Sequence, residues 1–341
     1  MSQLGPQRVV VTGATGFLGG AVARRLHSTR PRVPVVATGR DAAKGGALAA
    51  DGVEFIALDL VDARRTADVI AGADAVVHCA ALSSPWGPAA DFHAANVVAT
   101  ENVARACVAA GVRRLVHVST PGIYHDGRPH RGIREDHPLP ARAVNHYAAS
   151  KRLAEARLLE ITANTAVTTV ILRPRAIFGP GDTSLLPRIA AALRRGGLPR
   201  IGDGRCIVDM SYIDNVVDAV LLALHAPDTC SGRAYNISNG EPVVIWDVID
   251  RLAVAIAAPP IRRAIPAPLA RTGASILESA HRLFAPEREP ALLRYGVELL
   301  SVDMTLDIAR ARAELGYSPR VDMDSALRTT FDAPSAGGGG T

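Results

Sequence analysis

A phenol and an ammonium group, Tyr147 and Lys151, lie four residues apart in the run NHYAASKRLAEARLLE. The run is rich in helix formers, so these two side chains share one face of a predicted helix. A nearby ammonium lowers the pKa of a phenol and suits it to general acid–base work near neutral pH. The alternative is a surface tyrosine and lysine on an amphipathic helix. That alternative is weakened because Lys44 and Lys151 are the only lysines among 38 basic residues.

A hydroxyl partner for this pair lies upstream, in VHVSTPGIY, where a predicted strand ends at Ser119 and Thr120. A hydroxyl at this place can hydrogen-bond a substrate carbonyl and hold it beside the tyrosine. Ser119 serves equally well as a cap of the strand end, so Thr120 ranks first. Together these groups predict proton transfer to or from a substrate oxygen.

The turn TGATGFLGG follows a short apolar strand, VVV, and places Gly13, Gly16 and Gly19 three residues apart. In a strand-to-helix turn, such glycines permit the tight bend, the approach of a diphosphate to backbone N–H groups, and close packing of the helix on the sheet. The alternative is a tight loop that binds nothing. Its position at the start of a strand–helix–strand unit favours dinucleotide binding.

The end of the second predicted strand, VVATGRDAAK, carries the residues that favour either NADP(H) or NAD(H) as the cofactor. A cation there pairs with a ribose 2′-phosphate, whereas a carboxylate hydrogen-bonds a 2′-hydroxyl. The first polar side chain is Arg40, which favours NADP(H), while the following Asp41 keeps NAD(H) as the alternative. Asp59, after the third strand, is expected either to bind the adenine amino group or to cap the next helix.

The elements that position these residues alternate between β-branched strands and Ala-rich helices up to about residue 173. This alternation predicts an α/β fold, a Rossmann doubly wound parallel sheet with a smaller C-terminal substrate lobe. Every strand is an apolar run, as expected where helices cover both faces of the sheet. The predicted strands are 8–12, 33–39, 53–57, 75–79, 114–119 and 168–173, with helices starting near 16, 42, 62, 91 and 145.

After residue 173 the chain changes to loops rich in proline and glycine. We predict a dinucleotide-binding domain over 1–178 that also receives 207–237, and a substrate lobe from 179–206 and 238–332. Later elements are a helix at 213–225, a strand at 233–237 and helices at 306–315 and 323–331. The glycine-rich tail 333–341 is predicted to be disordered.

Composition excludes several other classes of protein. The net charge of +5 comes from arginines scattered through helical patterns, so no nucleic-acid partner is expected. The four cysteines form no CxxC or metal-ligand pair, which predicts free thiols, no metal and a reducing compartment, the cytoplasm. No apolar run reaches the roughly 20 residues of a transmembrane helix.

Taken together, TGATGFLG, HCAA, NVVATENV, STPGIY, YAASK and LRPRAIFGPGD resemble the motifs of the extended short-chain dehydrogenases/reductases. The resemblance implies that Thr120, Tyr147 and Lys151 are catalytic, that Asn96 is a structural or relay asparagine, and that the loop from Arg173 cradles the nicotinamide. The implied cofactor-binding residues are Gly13, Thr15, Gly16, Phe17, Leu18, Gly19, Arg40, Asp59, Leu60, Ala80, Ala81, Tyr147, Lys151, Pro174 and Ile177.

Within that family, WGP and the segments flanking the tyrosine are most similar to the 3β-hydroxysteroid dehydrogenase branch, which includes 2-alkyl-3-ketoalkanoic acid reductases. This implies an NAD(P)-dependent oxidoreductase that reduces a 3-keto acid or oxidises a 3β-hydroxy sterol-like substrate, in a homodimer joined through the helices of Asn96 and Tyr147. The departures are Thr120, where serine is commoner, and Ala99, where many members have glycine. Neither removes the hydroxyl chemistry.

Two other functions fit the same motifs. A nucleotide-sugar epimerase shares the tyrosine–lysine pair and keeps its dinucleotide bound through the cycle. A redox sensor would bind NADP without turnover, although an intact set of catalytic groups argues against it. A 4,6-dehydratase needs a carboxylic acid directly after the catalytic threonine. Pro121 and Gly122 occupy those positions.

The substrate site is expected to be apolar, with Trp86, Thr120, His125 and Phe178 in its wall. Each could instead belong to the ordinary core. The amphipathic run LARTGASILESAHRLF carries Leu269, Ile276, Leu277, Leu283 and Phe284 as apolar positions. We expect it to form a lid over the site, with peripheral membrane contact as the alternative.

Overall fold

The computed structural model describes residues 8–29 and 33–332, which form fifteen strands and thirteen α-helices. The strands are β1 (Val9–Thr12), β2 (Val35–Gly39), β3 (Glu54–Ala57), β4 (Ala75–His78), β5 (Arg114–Val118), β6 (His130–Ile133), β7 (Thr168–Pro174), β8 (Ile177–Phe178), β9 (Arg200–Ile201), β10 (Ile207–Val208), β11 (Ser211–Tyr212), β12 (Arg233–Ile237), β13 (Val243–Val244), β14 (Ala264–Ile265) and β15 (Met304–Leu306).

The helices alternate with the first strands and dominate the later chain. They are α1 (Phe17–Ser28), α2 (Ala42–Ala50), α3 (Ala63–Ile70), α4 (Ala89–Phe92), α5 (Ala99–Ala109), α6 (His146–Thr162), α7 (Leu185–Arg194), α8 (Ile213–Leu224), α9 (Ile245–Ala255), α10 (Ala267–Phe284), α11 (Arg294–Leu299), α12 (Ala309–Leu315) and α13 (Met323–Asp332). In the described ranges, no helix has the length and hydropathy needed to cross a membrane.

Seven parallel strands form the main sheet, in the order β12-β7-β5-β4-β1-β2-β3. Helices α1 and α8 cover one face, whereas α3, α5 and α6 cover the other. The α/β, doubly wound fold is therefore confirmed. All six early predicted strands are present with bounds within two residues of the prediction.

One strand departs from the predicted pattern of full burial. β1 and β4 are buried at every residue because helices cover both their faces. β3 lies at the edge of the sheet, where Glu54 and Ala57 are exposed. An edge strand is covered on one side only, so its apolar run was a poor guide to its burial.

The substrate lobe is interleaved with the main sheet along the chain. β12 joins the main sheet beside β7, as the prediction for 207–237 requires. However, β10, which is within 207–237, and β6, which is within 1–178, both belong to a four-stranded sheet of order β13-β10-β15-β6, in which each pairs with β15. The predicted helix at 306–315 begins only at Ala309, because Met304–Leu306 form a buried strand that Asp209 anchors by accepting a hydrogen bond from the Leu306 N–H (2.6 Å). The predicted disordered tail, 333–341, lies outside the described residues.

Candidate active site

The turn between β1 and α1 has the backbone geometry of a phosphate cradle. Gly13 has φ +69°, and a Cβ there would lie 2.5 Å from the backbone nitrogen of Ala80 on the neighbouring loop. A Cβ on Gly19 would lie 2.4 Å from the carbonyl oxygen of Gly13, so this glycine lets α1 pack against the turn. No side chain caps the N-terminus of α1. Its free N–H groups and the helix dipole therefore face the cavity and fit a dinucleotide diphosphate.

Arg40 and Asp59 line the same cavity at the ends of β2 and β3. Asp41 is engaged elsewhere, because its carboxylate caps α2 by accepting from the Lys44 N–H (3.0 Å) and forms an ion pair with the Lys44 ammonium. The Asp59 carboxylate accepts from the Val61 N–H (3.1 Å), whereas Asp62 caps α3. The alternative role of Asp59 as the helix cap is therefore not observed.

Tyr147 and Thr120 meet in the cavity wall. Asn145 caps α6 by accepting from the Ala148 N–H (2.8 Å), so the helix begins at His146, one residue before Tyr147. Thr120 and Tyr147 both line the cavity, and the Thr120 hydroxyl acts on the Tyr147 phenol by lowering its pKa. Thr120 also accepts from the Gly122 N–H (3.1 Å), which fixes the direction of its side chain. A carbonyl oxygen placed beside both hydroxyls could accept a hydrogen bond from each.

Desolvation raises the pKa of Tyr147 to about 12, with a further increase from Tyr295 that the Thr120 hydrogen bond partly offsets. This corrects the expectation that Lys151 lowers the phenol pKa. The Lys151 ammonium is buried and donates to the carbonyl oxygen of Val118 (2.7 Å) and to the Nε2 atom of His117 (3.1 Å). Burial in turn lowers the pKa of Lys151 to about 8.

Asn96 lies in a π-helical turn, His93–Val98, and is fully buried rather than exposed to the cavity. Its amide accepts from the Leu82 N–H (2.6 Å) and donates to the Ser150 hydroxyl (2.8 Å). Ser150 donates to the carbonyl oxygen of Tyr147 (2.8 Å). Asn96 therefore connects the loop after β4 to α6 and is linked to the Tyr147 backbone through Ser150.

A cavity of about 940 Å³ runs along the carboxyl ends of the sheet strands into the lobe. It is lined by every predicted cofactor-binding residue except Lys151, and also by Ser119 and Thr120. A nicotinamide dinucleotide therefore fits the residues present. Within 8–29 and 33–332, no cluster of three or more His, Cys, Asp or Glu side chains could hold a metal ion.

Three residues predicted in the substrate wall are not part of the cavity lining. Phe178 is fully buried against Tyr212 in the core, because its strand β8 pairs with β11. Trp86 donates from its indole to the carbonyl oxygen of Pro286 (2.8 Å) and so ties the loop after β4 to the end of α10. His125 is buried and hydrogen-bonds Glu298 (2.8 Å).

The apolar stripe predicted as a lid is also outside the cavity lining. It forms the helix α10, as expected, but Leu269, Ile276, Leu283 and Phe284 are exposed to solvent. The chain that follows α10 reaches the site instead.

Several polar residues of the cavity wall were missed by the sequence analysis, among them Arg175, Asp209 and Tyr295. Tyr295 lies on α11 and contacts the ring of His125 edge-on, with centroids 5.6 Å apart. No local motif distinguishes Tyr295 or Asp209. Arg175 did carry a signal, since it is a charged residue directly after the buried strand β7.

Comparisons with known proteins agree with this geometry. The model of the NAD dependent epimerase/dehydratase family matches residues 9–238. The 2-alkyl-3-oxoalkanoate reductase of Stenotrophomonas maltophilia is 39% identical over 326 residues, which cover 94% of this chain and 97% of that protein. The 3beta-hydroxysteroid-dehydrogenase/decarboxylase isoform 1 of Arabidopsis thaliana is 31% identical and covers 95% of this chain and 79% of that protein.

Among solved structures, the UDP-glucuronic acid 4-epimerase of Bacillus cereus in complex with NAD has a TM-score of 0.74 at 22% identity. The alignment covers 95% of this chain and 97% of that one, and it shows a shared fold. The sheet order, the phosphate cradle and the family match lead to the same assignment. The chain is an NAD(P)-dependent oxidoreductase that belongs to the NAD dependent epimerase/dehydratase family.

Proposed function

We propose that the chain interconverts a ketone and a secondary alcohol with NADP(H), and that its main reaction is the reduction of a 3-keto acid carrying a bulky apolar group. The observation that carries this proposal is the meeting of Thr120 and Tyr147 on one cavity with the phosphate cradle of Gly13. The relatives named as a 2-alkyl-3-oxoalkanoate reductase and a 3beta-hydroxysteroid dehydrogenase support it. The names of these relatives also support a second reaction, the oxidation of a 3β-hydroxy sterol-like substrate.

In the proposed reaction, the nicotinamide supplies a hydride to the carbonyl carbon when it is bound. Thr120 donates a hydrogen bond to the carbonyl oxygen and holds it beside the phenol. As the C–O π bond breaks, Tyr147 transfers its proton to that oxygen, so the ketone becomes a neutral alcohol. The pKa of about 12 keeps the phenol protonated at neutral pH, which suits this direction.

A preference for NADP(H) over NAD(H) is the second part of the proposal. Arg40 is an exposed cation in the cavity lining at the end of β2, where a 2′-phosphate would lie. Asp41, which would serve a 2′-hydroxyl, is directed to α2 and Lys44. Because the Asp41 carboxylate is directed away from the site, it repels the 2′-phosphate of NADP(H) less.

Homodimer formation and a cytoplasmic location complete the proposal. The four cysteines, all within the described residues, are free thiols, which supports a reducing compartment. α5 and α6, the helices next to Asn96 and carrying Tyr147, pack side by side on one face of the sheet. Their outer surface would form the dimer interface, which gel filtration tests directly.

A nucleotide-sugar epimerase remains the alternative function, and a non-catalytic NADP sensor is the second alternative. Both are decided by one experiment. The purified protein is assayed for NADPH and NADH oxidation with a 2-alkyl-3-oxo acid and a 3-ketosteroid, and separately for epimerisation of a UDP-sugar. We expect turnover with NADPH and the 2-alkyl-3-oxo acid. Tightly bound NAD with sugar epimerisation would establish the alternative, and no turnover with any ketone would leave only the sensor.

A further inference from the structure

Two arginines at the end of β7 have contrasting surroundings, although Arg173 is only 7% exposed and Arg175 only 6%. Arg173 donates to both oxygens of Glu155, at 2.9 and 2.5 Å, and to the hydroxyl of Tyr124. The side chain of Arg175 forms no hydrogen bond and no ion pair with any residue in 8–29 or 33–332. Its Nε atom is buried without a partner. A buried guanidinium in this state is costly unless a ligand supplies the missing acceptors.

The position of Arg175 indicates which ligand would do so. Its side chain lines the cavity together with Tyr147 and Thr120. In the sheet order, β7 lies three strands from β1, which carries the phosphate cradle. Three strand spacings amount to roughly 14 Å. Arg175 therefore lies at the substrate end of the cavity, remote from the diphosphate site at Gly13.

The acidic group facing Arg175 is Asp209, which follows β10 and also lines the cavity. Its charge interacts with Arg175, but the two are not within ion-pair distance. One Asp209 oxygen accepts from the Leu306 N–H (2.6 Å), and the other is buried without a partner. Burial raises the pKa of Asp209, while the Leu306 hydrogen bond, Ser238 and Arg175 lower it. Asp209 is thus held by the lobe and leaves the Arg175 donors free.

We propose that Arg175 binds a carboxylate of the substrate and so selects anionic keto acids over neutral ketones and sterols. A guanidinium presents parallel N–H donors that match both oxygens of a carboxylate. In a 3-oxo acid, the carboxylate lies two bonds from the carbonyl carbon, so one cavity wall would hold both groups. The proposal rests on the proposed function and adds the residue that recognises the acid.

The test compares an acid with its methyl ester, because esterification removes the negative charge and adds only a methyl group. A 2-alkyl-3-hydroxy acid and its methyl ester are assayed with NADP⁺, because the hydroxy acid, unlike the 3-oxo acid, does not lose CO₂ before it reacts. We expect kcat/KM of the wild type to favour the acid by at least tenfold. Arg175→Met should lower kcat/KM for the acid by about 100-fold and leave the ester unchanged. Arg175→Lys should recover part of the loss, since it restores charge without the planar pair of donors.

Two matched variants separate this role from others. Arg195→Met removes an exposed cation of the cavity rim. It should leave kcat/KM unchanged for both the acid and the ester, which would exclude a general attraction of anions to the cavity. Asp209→Asn removes the carboxylate near Arg175 and tests whether Arg175 serves only to neutralise it. The preference of kcat/KM for the acid over the ester should persist in this variant. The binding constant for NADPH should be the same in wild type and Arg175→Met.

Equal losses for acid and ester in Arg175→Met, or a loss of NADPH binding, would overturn the inference. A wild type that oxidises the acid and the ester equally well would also overturn it, yet leave the proposed function intact. A wild type that oxidises neither substrate would refute the proposed function itself. The two failures are therefore distinguishable in one set of assays.

Discussion

The cofactor end and the substrate end of the cavity are built from different kinds of sequence information. At the cofactor end, Gly13, Gly16 and Gly19 lie within seven residues, and Tyr147 and Lys151 lie within one helical turn. At the substrate end, Arg175, Asp209 and Tyr295 come from segments that lie 34 to 120 residues apart in the sequence. The first set depends on local geometry, whereas the second depends on how the lobe packs.

The two ends also differ in how their charges are satisfied. Lys151 at the cofactor end has two hydrogen-bond acceptors in the protein, Val118 and His117. Arg175 at the substrate end has none among the described residues, and Asp209 has one oxygen without a donor. At the cofactor end, the protein itself therefore supplies the hydrogen-bond partners of the buried charge. At the substrate end, the hydrogen-bond partners of the buried charges are missing, and a ligand would supply them. The following variants test this difference.

The largest effect is expected for Tyr147→Phe, which removes the phenolic proton. General acid catalysis contributes about 10²–10⁴-fold, so we expect kcat for ketone reduction to fall by about 10³-fold. NADPH affinity should stay within about twofold of wild type, as measured by fluorescence titration. The matched control is Tyr295→Phe, which removes the other phenol of the cavity and should lower kcat by less than tenfold. If Tyr295→Phe is as damaging as Tyr147→Phe, proton transfer is not confined to the cofactor end.

The next effect concerns stability and comes from Lys151. Burial lowers its pKa from 10.5 to about 8, so the folded protein holds this proton less tightly than the unfolded chain does. The cost is fully present below pH 8, and stability rises with pH between about 8 and 10.5. At 1.36 kcal/mol per pKa unit, Lys151→Met should stabilise the fold at pH 7 by up to about 3 kcal/mol, measured by urea unfolding.

That gain should shrink as the pH approaches 10, because wild-type Lys151 is then largely neutral. The control is Lys44→Met, which removes the other, exposed lysine. It should change the free energy of unfolding by less than about 0.5 kcal/mol at every pH. A constant difference between wild type and Lys151→Met across this pH range would show that Lys151 is not strained by burial.

The comparison also explains what could be predicted from the sequence. The strands, the parallel sheet and the phosphate turn follow from apolar runs and glycine spacing, and the structure confirms the fold. The pKa of Tyr147 was predicted in the wrong direction, because spacing on a helix shows neither the burial of the phenol, which raises its pKa, nor where the Lys151 ammonium donates its hydrogen bonds. It donates to β5, one element away in space but 33 residues away in sequence.

The substrate wall was harder to predict for a physical reason. An aromatic or apolar residue has the same local pattern whether it lines a cavity or fills the core, as Phe178 shows by packing on Tyr212. The spacing of the exposed apolar residues of α10 likewise predicts that a helix forms there, but it does not predict which part of the protein the helix packs against. Only the placement of α11 and β10 after folding brings Tyr295 and Asp209 to the cavity.

The smallest effect is expected for Arg40→Ala at the far edge of the cofactor end. A charge-assisted hydrogen bond to a phosphate contributes about 1.5–3 kcal/mol, so the Kd for NADPH should rise by roughly 10- to 100-fold. The Kd for NADH should change less than threefold, because NADH has no 2′-phosphate to lose a partner. Lys44→Ala, which removes the next cation along the same segment, is the control and should leave both constants unchanged. Equal weakening of the two cofactors by Arg40→Ala would mean that the end of β2 does not read the 2′ position, and NAD(H) would become the preferred assignment.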